Sequence, residues 1–197
     1  GKGFSVAPPP YVKAGNYLVK ITKGNETFEK QIEVIYDSSS SFTLSERAQQ
    51  QQTTTEVFNM IQDLAYLVYQ IDQWDAKATE YKTKHAKTEK YVDALRMELT
   101  AMRNTLVVTT GDNYVGTAED ELREKLNEIF ANVSSYFGAP SSSELANIAA
   151  LSNELNKAKK QFGVIQETRI KALKSLLEKD TAIKMPEILS FEEFLKQ

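Results

Sequence analysis

Hydrophobic positions along this chain recur with two different periods. From Tyr17 to Tyr36 they alternate: Tyr17, Val19 and Ile21 fall on one face of a first run, and Ile32, Val34 and Tyr36 on one face of a second. A period of two is that of a half-buried strand. Between the runs lies Lys23-Gly24-Asn25-Glu26, where Gly and Asn tolerate the positive φ that a tight hairpin turn requires. The pattern predicts one β-hairpin. Two strands alone are marginal in water, so this hairpin is expected either to dock on the rest of the chain or to be the remnant of a larger β-sandwich.

After Asp37 and a run of four serines, which predict a linker, the period changes to three and four and stays there. Thr43 and Glu46 have capping-box spacing, and a first helix follows with Val57, Ile61, Leu64, Val68, Ile71 and Trp74 on one stripe. Its first third, SERAQQQQTTTE, is polar, so only its later turns are expected to be deeply buried. The polar stretch 82–90 is read as the reversal. A second helix carries Val92, Leu95, Leu99, Met102 and Leu106, and 109–113 (TTGDN) is a loop by composition. Thr117 and Asp120 have the spacing of a weaker capping box. They open a third helix with the stripe Leu122, Leu126, Ile129, Val133 and Phe137, ended by Gly138-Ala139-Pro140. Ser141 and Glu144 cap a fourth, whose stripe runs Ile148, Leu151, Leu155, Ala158, Phe162, Ile165, Arg169, Ala172 and Leu176. Beyond Asp180 and Pro186, Ser190 and Glu193 cap a short last helix from Phe191.

Short connections favour antiparallel neighbours. The expected fold is therefore mainly α: an antiparallel up-down four-helix bundle with two long and two shorter helices, preceded by the hairpin. Residues 1–37 form the Pro-rich lead-in and hairpin, and 38–197 the bundle. At 1.5 Å per residue the first and fourth helices reach roughly 55–60 Å and the other two about 30 Å. The start of the first helix and the end of the fourth then project together, and the hairpin is expected to cover Leu173, Leu176, Leu177, Ile183, Ile188, Phe191 and Phe194 there.

Composition narrows the function classes. The 197 residues are 41% hydrophobic and 26% charged with a formal net charge of -3. That is ordinary for a globular chain and too weak a field to recruit nucleic acid. No apolar run approaches the ~20 residues of a membrane span. Cysteine is absent, which rules out disulfides, cysteine-ligated metals and thiol nucleophiles. Residues 1–10 (GKGFSVAPPP) contain no signal-peptide core, and without an initiator Met the chain reads as a piece of a longer protein.

No phosphate loop, nucleophile elbow or zinc-protease helix is present. His85, the one histidine, sits among Lys84 and Lys87 and reads as an exposed bystander. Glu119, Asp120 and Glu121 fall in a first helical turn, where the dipole favours negative charge. Asp112 and Asn113 lack the further oxygen ligands of a Ca²⁺ loop. Lys77, Lys82, Lys84, Lys87 and Lys90 form a basic stretch that reads as a solvated helix end. Asn25-Glu26-Thr27 matches a glycosylation sequon too short to carry weight. Arg169 interrupts the seam and is expected to snorkel outward along its stem. No catalytic residue, metal site or cofactor is expected. The one candidate ligand or partner surface is Trp74 with Tyr66 and Tyr69, since aromatic faces stack on pyranose rings; packing at helical spacing is the competing reading.

Taken in order, the Pro-rich lead-in, the segment "Ala-Gly-Asn-Tyr-Leu-Val-Lys-Ile-Thr-Lys-Gly-Asn-Glu-Thr-Phe" (14–28), the strand ending "Ile-Glu-Val-Ile-Tyr-Asp" (32–37) and the helical array resemble a known arrangement. It is the C-terminal region of secreted bacterial sortilin-like and Asp-box (BNR-repeat) glycosyl hydrolase proteins. In those proteins a β-propeller precedes a Pro-Gly-x-Tyr hairpin, an Asp-Pro-Arg element and a helical bundle. Ala14 stands where that pattern has Pro, and Ser38-Ser39 where it has Pro-Arg. The specific likeness is confined to about residues 8–37. The resemblance implies a non-catalytic C-terminal module of a secreted or periplasmic protein, whose partners are the upstream propeller, a second copy or an envelope protein. The alternative is a carbohydrate- or envelope-binding helical module.

Overall fold

A computed structural model describes residues 8–84, 88–108, 121–177 and 188–196. It is mainly helical, with an N-terminal antiparallel hairpin. Strand β1 (Gly15–Lys23) pairs with β2 (Glu26–Val34) in the register Tyr17↔Ile32, Val19↔Lys30 and Ile21↔Phe28. The two-residue turn is Gly24-Asn25. Gly24 has φ +59° and Asn25 is not in the positive-φ region, the type II′ pattern that matches strand twist and places Gly first.

Helix α1 (Leu44–Lys84) follows, then α2 (Glu89–Leu106), α3 (Leu122–Ser134) and α4 (Ser142–Ile165). A π-helical turn (Gln166–Ile170) leads from α4 directly into α5 (Lys171–Leu177), and α6 (Phe191–Phe194) ends the described chain. Three capping boxes close as the spacing predicts. Glu46 reaches back to the Thr43 amide at 2.8 Å, Glu144 to that of Ser141 at 2.8 Å, and Glu193 to that of Ser190 at 2.8 Å. Each satisfies an amide that no helical carbonyl can reach. The Thr117/Asp120 start and the 109–113 loop lie outside the described residues. Helix α3 stops at Ser134, four residues short of Gly138. The tight approach at Gly138, where a Cβ would meet the Phe42 ring at 2.9 Å, belongs to the following turn.

Pairwise contacts give the sense of each helix. Asp72 and Asp75 of α1 bind Arg103 and Arg96 of α2, and Lys82 binds Asp93, so α2 runs antiparallel to α1. Arg47, Gln50 and Phe58 meet Phe137, Val133 and Phe130, so α3 is antiparallel to α1 as well. Asp63 pairs with Lys159, and Lys174 sits over Trp74, so α4–α5 runs parallel to α1. The expected up-down alternation of four helices is therefore not what these contacts describe. Helices α2 and α3 both return along α1, one beyond the other, and barely touch each other. Each is too short to span α1, which at 41 residues is roughly 60 Å long; end to end they cover most of it.

This arrangement also separates the hairpin from the end of the fourth helix. It lies beside the first turns of α1, where Tyr36 Oη donates to Gln51 Oε1 at 2.6 Å. Leu173 and Leu177 lie at the level of Trp74, about 35 Å further along the axis at 1.5 Å per residue. They are buried in the helical core with α2 alongside, not by the hairpin as expected. Ile188 packs on the core, and Phe191 and Phe194 on α1. Leu176 is half-buried, and Ile183 falls outside the described residues.

Two features of the core depart from the periodic reading. The predicted stripes of α1 and α2 are buried throughout. So, however, are Arg47, Gln50, Thr53 and Thr54 from the polar first third of α1. Gln50 Nε2 donates to the Val133 carbonyl at 2.7 Å and to Thr54 Oγ1 at 3.1 Å. The first bond satisfies a carbonyl that the end of α3 leaves without a helical partner. In α4 the stripe holds to Ile165 and then jumps five residues, to Ile170, Leu173 and Leu177. A π turn accommodates one extra residue, so it rotates the later positions by one. Arg169 and Ala172 leave the seam, and Arg169 pairs outside with Glu98 at 2.7 Å.

Candidate functional site

The three aromatic residues singled out from the sequence occupy two different environments. Trp74 is 3% exposed, inside the core, with the Lys174 ammonium 5.2 Å from its ring centroid. It offers no face to a sugar. Tyr66 and Tyr69 are half-buried, with ring centroids 6.1 Å apart, and are brought together by their spacing on α1. Their faces are taken up by the chain's own C-terminal segment. Phe194 lies 5.5 Å from Tyr66 and 5.1 Å from Tyr69, and Phe191 lies 5.3 Å from Tyr66. Tyr66 Oη donates to the Leu189 carbonyl at 2.9 Å, and the Leu189 amide donates to Tyr69 Oη at 3.3 Å. Burial and the negative charge of Glu193 hold the Tyr66 phenol above its ordinary pKa. A cavity of about 340 Å³ opens beside this cluster, between Tyr66, Phe162, Gln166 and Phe191.

The charged candidates are engaged with one another. Lys77 pairs with Glu80, and Lys82 binds Asp93 and Glu89, which raises its pKa. Lys77 and Lys82 are thereby matched by acids of α1 and α2. His85, Lys87, Asp112, Asn113, Glu119 and Asp120 lie outside the described residues. Glu121 is the residue that precedes α3, with no side-chain capping bond. Among the described residues no cluster of His, Cys, Asp and Glu could hold a metal ion, and no helix is long and apolar enough to cross a membrane.

Two features were not legible as sites. The first is the outer face of the hairpin. Tyr17, Val19, Ile21, Phe28 and Ile32 share one side, and Ile21 and Phe28 are 60% and 58% exposed. The alternation was visible in sequence; that no helix among the described residues covers it was not. The second is a cavity of about 440 Å³ where the end of β2, the Pro8–Pro10 segment, α1 and the α3–α4 turn converge. Arg47 lines it, only 8% exposed, over the rings of Tyr36 at 5.0 Å and Phe137 at 5.1 Å. Gln51 stitches its wall by accepting from Tyr36 Oη and donating to the Val12 carbonyl. Asp37 also lines it, held below the usual carboxylate range by hydrogen bonds from the Ser39 amide and hydroxyl.

No family model, curated protein or solved structure matches this chain. The site readings therefore rest on the geometry above.

Proposed function

We propose that this chain is a non-catalytic structural and interaction module, C-terminal in a larger secreted or periplasmic protein of the β-propeller, glycosyl-hydrolase-like type, and that the hairpin is its contact with the upstream domain. Residues 1–37 are then the joint and 38–197 the helical body. The observation that carries this reading is the hairpin's apolar face, left uncovered at one end of a long helical rod. A two-stranded sheet with one apolar face gains stability only by packing on a further surface. Exposing Ile21, Phe28 and Ile32 to water forgoes ~1.5–3 kcal/mol for each side chain that such a surface would bury. The resemblance of residues 8–37 supplies the kind of surface expected, and the Pro8-Pro9-Pro10 segment suits a stiff lead-in from it.

The test compares hydrogen exchange of the β1 and β2 amides in residues 1–197 alone and in the full-length gene product. Docking on an upstream domain slows exchange in both strands at least tenfold. Equal rates in the two proteins refute the contact. A start codon directly before residue 1 refutes the larger parent.

A further inference from the structure

The cavity beside the hairpin contains a feature that packing alone does not explain. Arg47 is more than nine-tenths buried, yet among the described residues its guanidinium forms no ion pair and no hydrogen bond; its contacts are the two rings. Ring faces attract a cation, and the N–H donors, which are not fully buried atoms, are left to face the cavity. A cation so little exposed to water carries a desolvation cost. The location raises that cost, because Arg47 sits in the first turns of α1, where the helix dipole disfavours positive charge. Glu46, next in sequence, is committed to the Thr43 cap. Asp37 gives one oxygen to Ser39 and lies beyond ion-pair distance of Arg47, although the two opposite charges still attract.

We propose that this cavity binds an organic monocarboxylate with an apolar body, its carboxylate held by the Arg47 guanidinium. A guanidinium matches a carboxylate with two parallel hydrogen bonds. Phe130, Phe137, Val34 and Ile35 line the remainder of the cavity, which suits an aromatic or branched body. Its volume falls within the usual range for small-molecule sites. The cavity already sets the Asp37 carboxylate near its one cation, so it tolerates a ligand of at most one negative charge. Inorganic phosphate, largely a dianion at neutral pH, is therefore disfavoured. The carboxylate has two possible sources, a free small acid or the C-terminus of a polypeptide, and the same guanidinium serves both. This site does not depend on the upstream domain proposed above.

The experiment is a titration of residues 1–197, followed through the Arg47 Nε–Hε resonance and by calorimetry. The probes are N-acetyl-phenylalanine and a tetrapeptide ending in phenylalanine; the controls are 3-phenylpropanol and inorganic phosphate. Both carboxylates are expected to bind saturably, and the tighter of the two identifies the source. Neither control moves the resonance. Arg47→Gln weakens binding roughly ten- to a hundredfold, the scale of lost charge-assisted hydrogen bonds. Asp37→Asn, which leaves the guanidinium in place, tightens it several-fold and keeps the test decisive if Arg47→Gln unfolds. Absence of a saturable shift with either carboxylate overturns the proposal. So does equal binding of the alcohol, tighter binding of phosphate, or unchanged affinity in a folded Arg47→Gln protein.

Discussion

Deleting single residues from the long C-terminal helix tests the role assigned to the π turn. In a regular helix one deletion rotates everything beyond it by about 100°. Removing Asn156, an exposed residue of α4, would turn Phe162 and Ile165 out of the core, both 3% exposed at present. At ~1.5–3 kcal/mol for each buried side chain, the loss is about 3–6 kcal/mol, a large share of the stability of a domain this size. Removing Glu167 is different. The π turn already holds one residue too many, so its loss lets the turn relax to ordinary α-helix. Ile170, Leu173 and Leu177 then fall at regular spacing after Ile165 and stay buried. What disappears is the exposed ion pair to Lys171, worth at most ~0.5 kcal/mol. Urea unfolding followed by far-UV circular dichroism measures both variants. Deletion of Glu167 is expected to leave the midpoint within about 1 kcal/mol of the parent, and deletion of Asn156 to lower it severely. Equal losses would refute the idea that the π turn sets the register of α5.

Two further outcomes follow from particular contacts. Glu144 is held below the usual carboxylate range by the Ser141 hydroxyl and amide and by Tyr136 Oη, which donates at 2.7 Å. Burial and that same carboxylate push the Tyr136 phenol up to about 12. A carboxylate whose pKa is lowered on folding contributes stability above its unfolded value, near 4.5, and loses it as pH falls through the folded value; Glu46 and Glu193 share that sign. Thermal melts between pH 6 and pH 3 should therefore show falling stability, with a shallower slope in Glu144→Gln; Ser141→Ala should cost about 1 kcal/mol at neutral pH. Trp74→Ala should cost about 3–5 kcal/mol as a core truncation, with glycan binding unaffected. A Trp74→Ala protein of unchanged stability that loses binding on a glycan array would restore the carbohydrate reading.

Much of the local structure was determined by sequence alone. The hairpin, its turn at Gly24, three capping boxes and the stripes of α1 and α2 follow from short-range geometry: a strand repeats every two residues, a helix every 3.6, and a cap needs its partner three residues on. The functional proposal rests on the hairpin's uncovered face, and the likeness of residues 8–37 contributes only the kind of parent it names. What sequence did not determine is how the helices lie on one another. Short loops favour reversal, yet α2 and α3 both run antiparallel to α1, because two short helices laid end to end cover one long partner better than two side by side. The π turn was hidden for a related reason. Periodicity extrapolated one register through Arg169, while burial of Ile170, Leu173 and Leu177 decided another. Arg47, Gln50 and Thr54 read as solvated because their residue types usually are; only contact with the end of α3 and the base of the hairpin buries them. Burial is a property of pairs of surfaces, and the partner of each surface is far away in sequence.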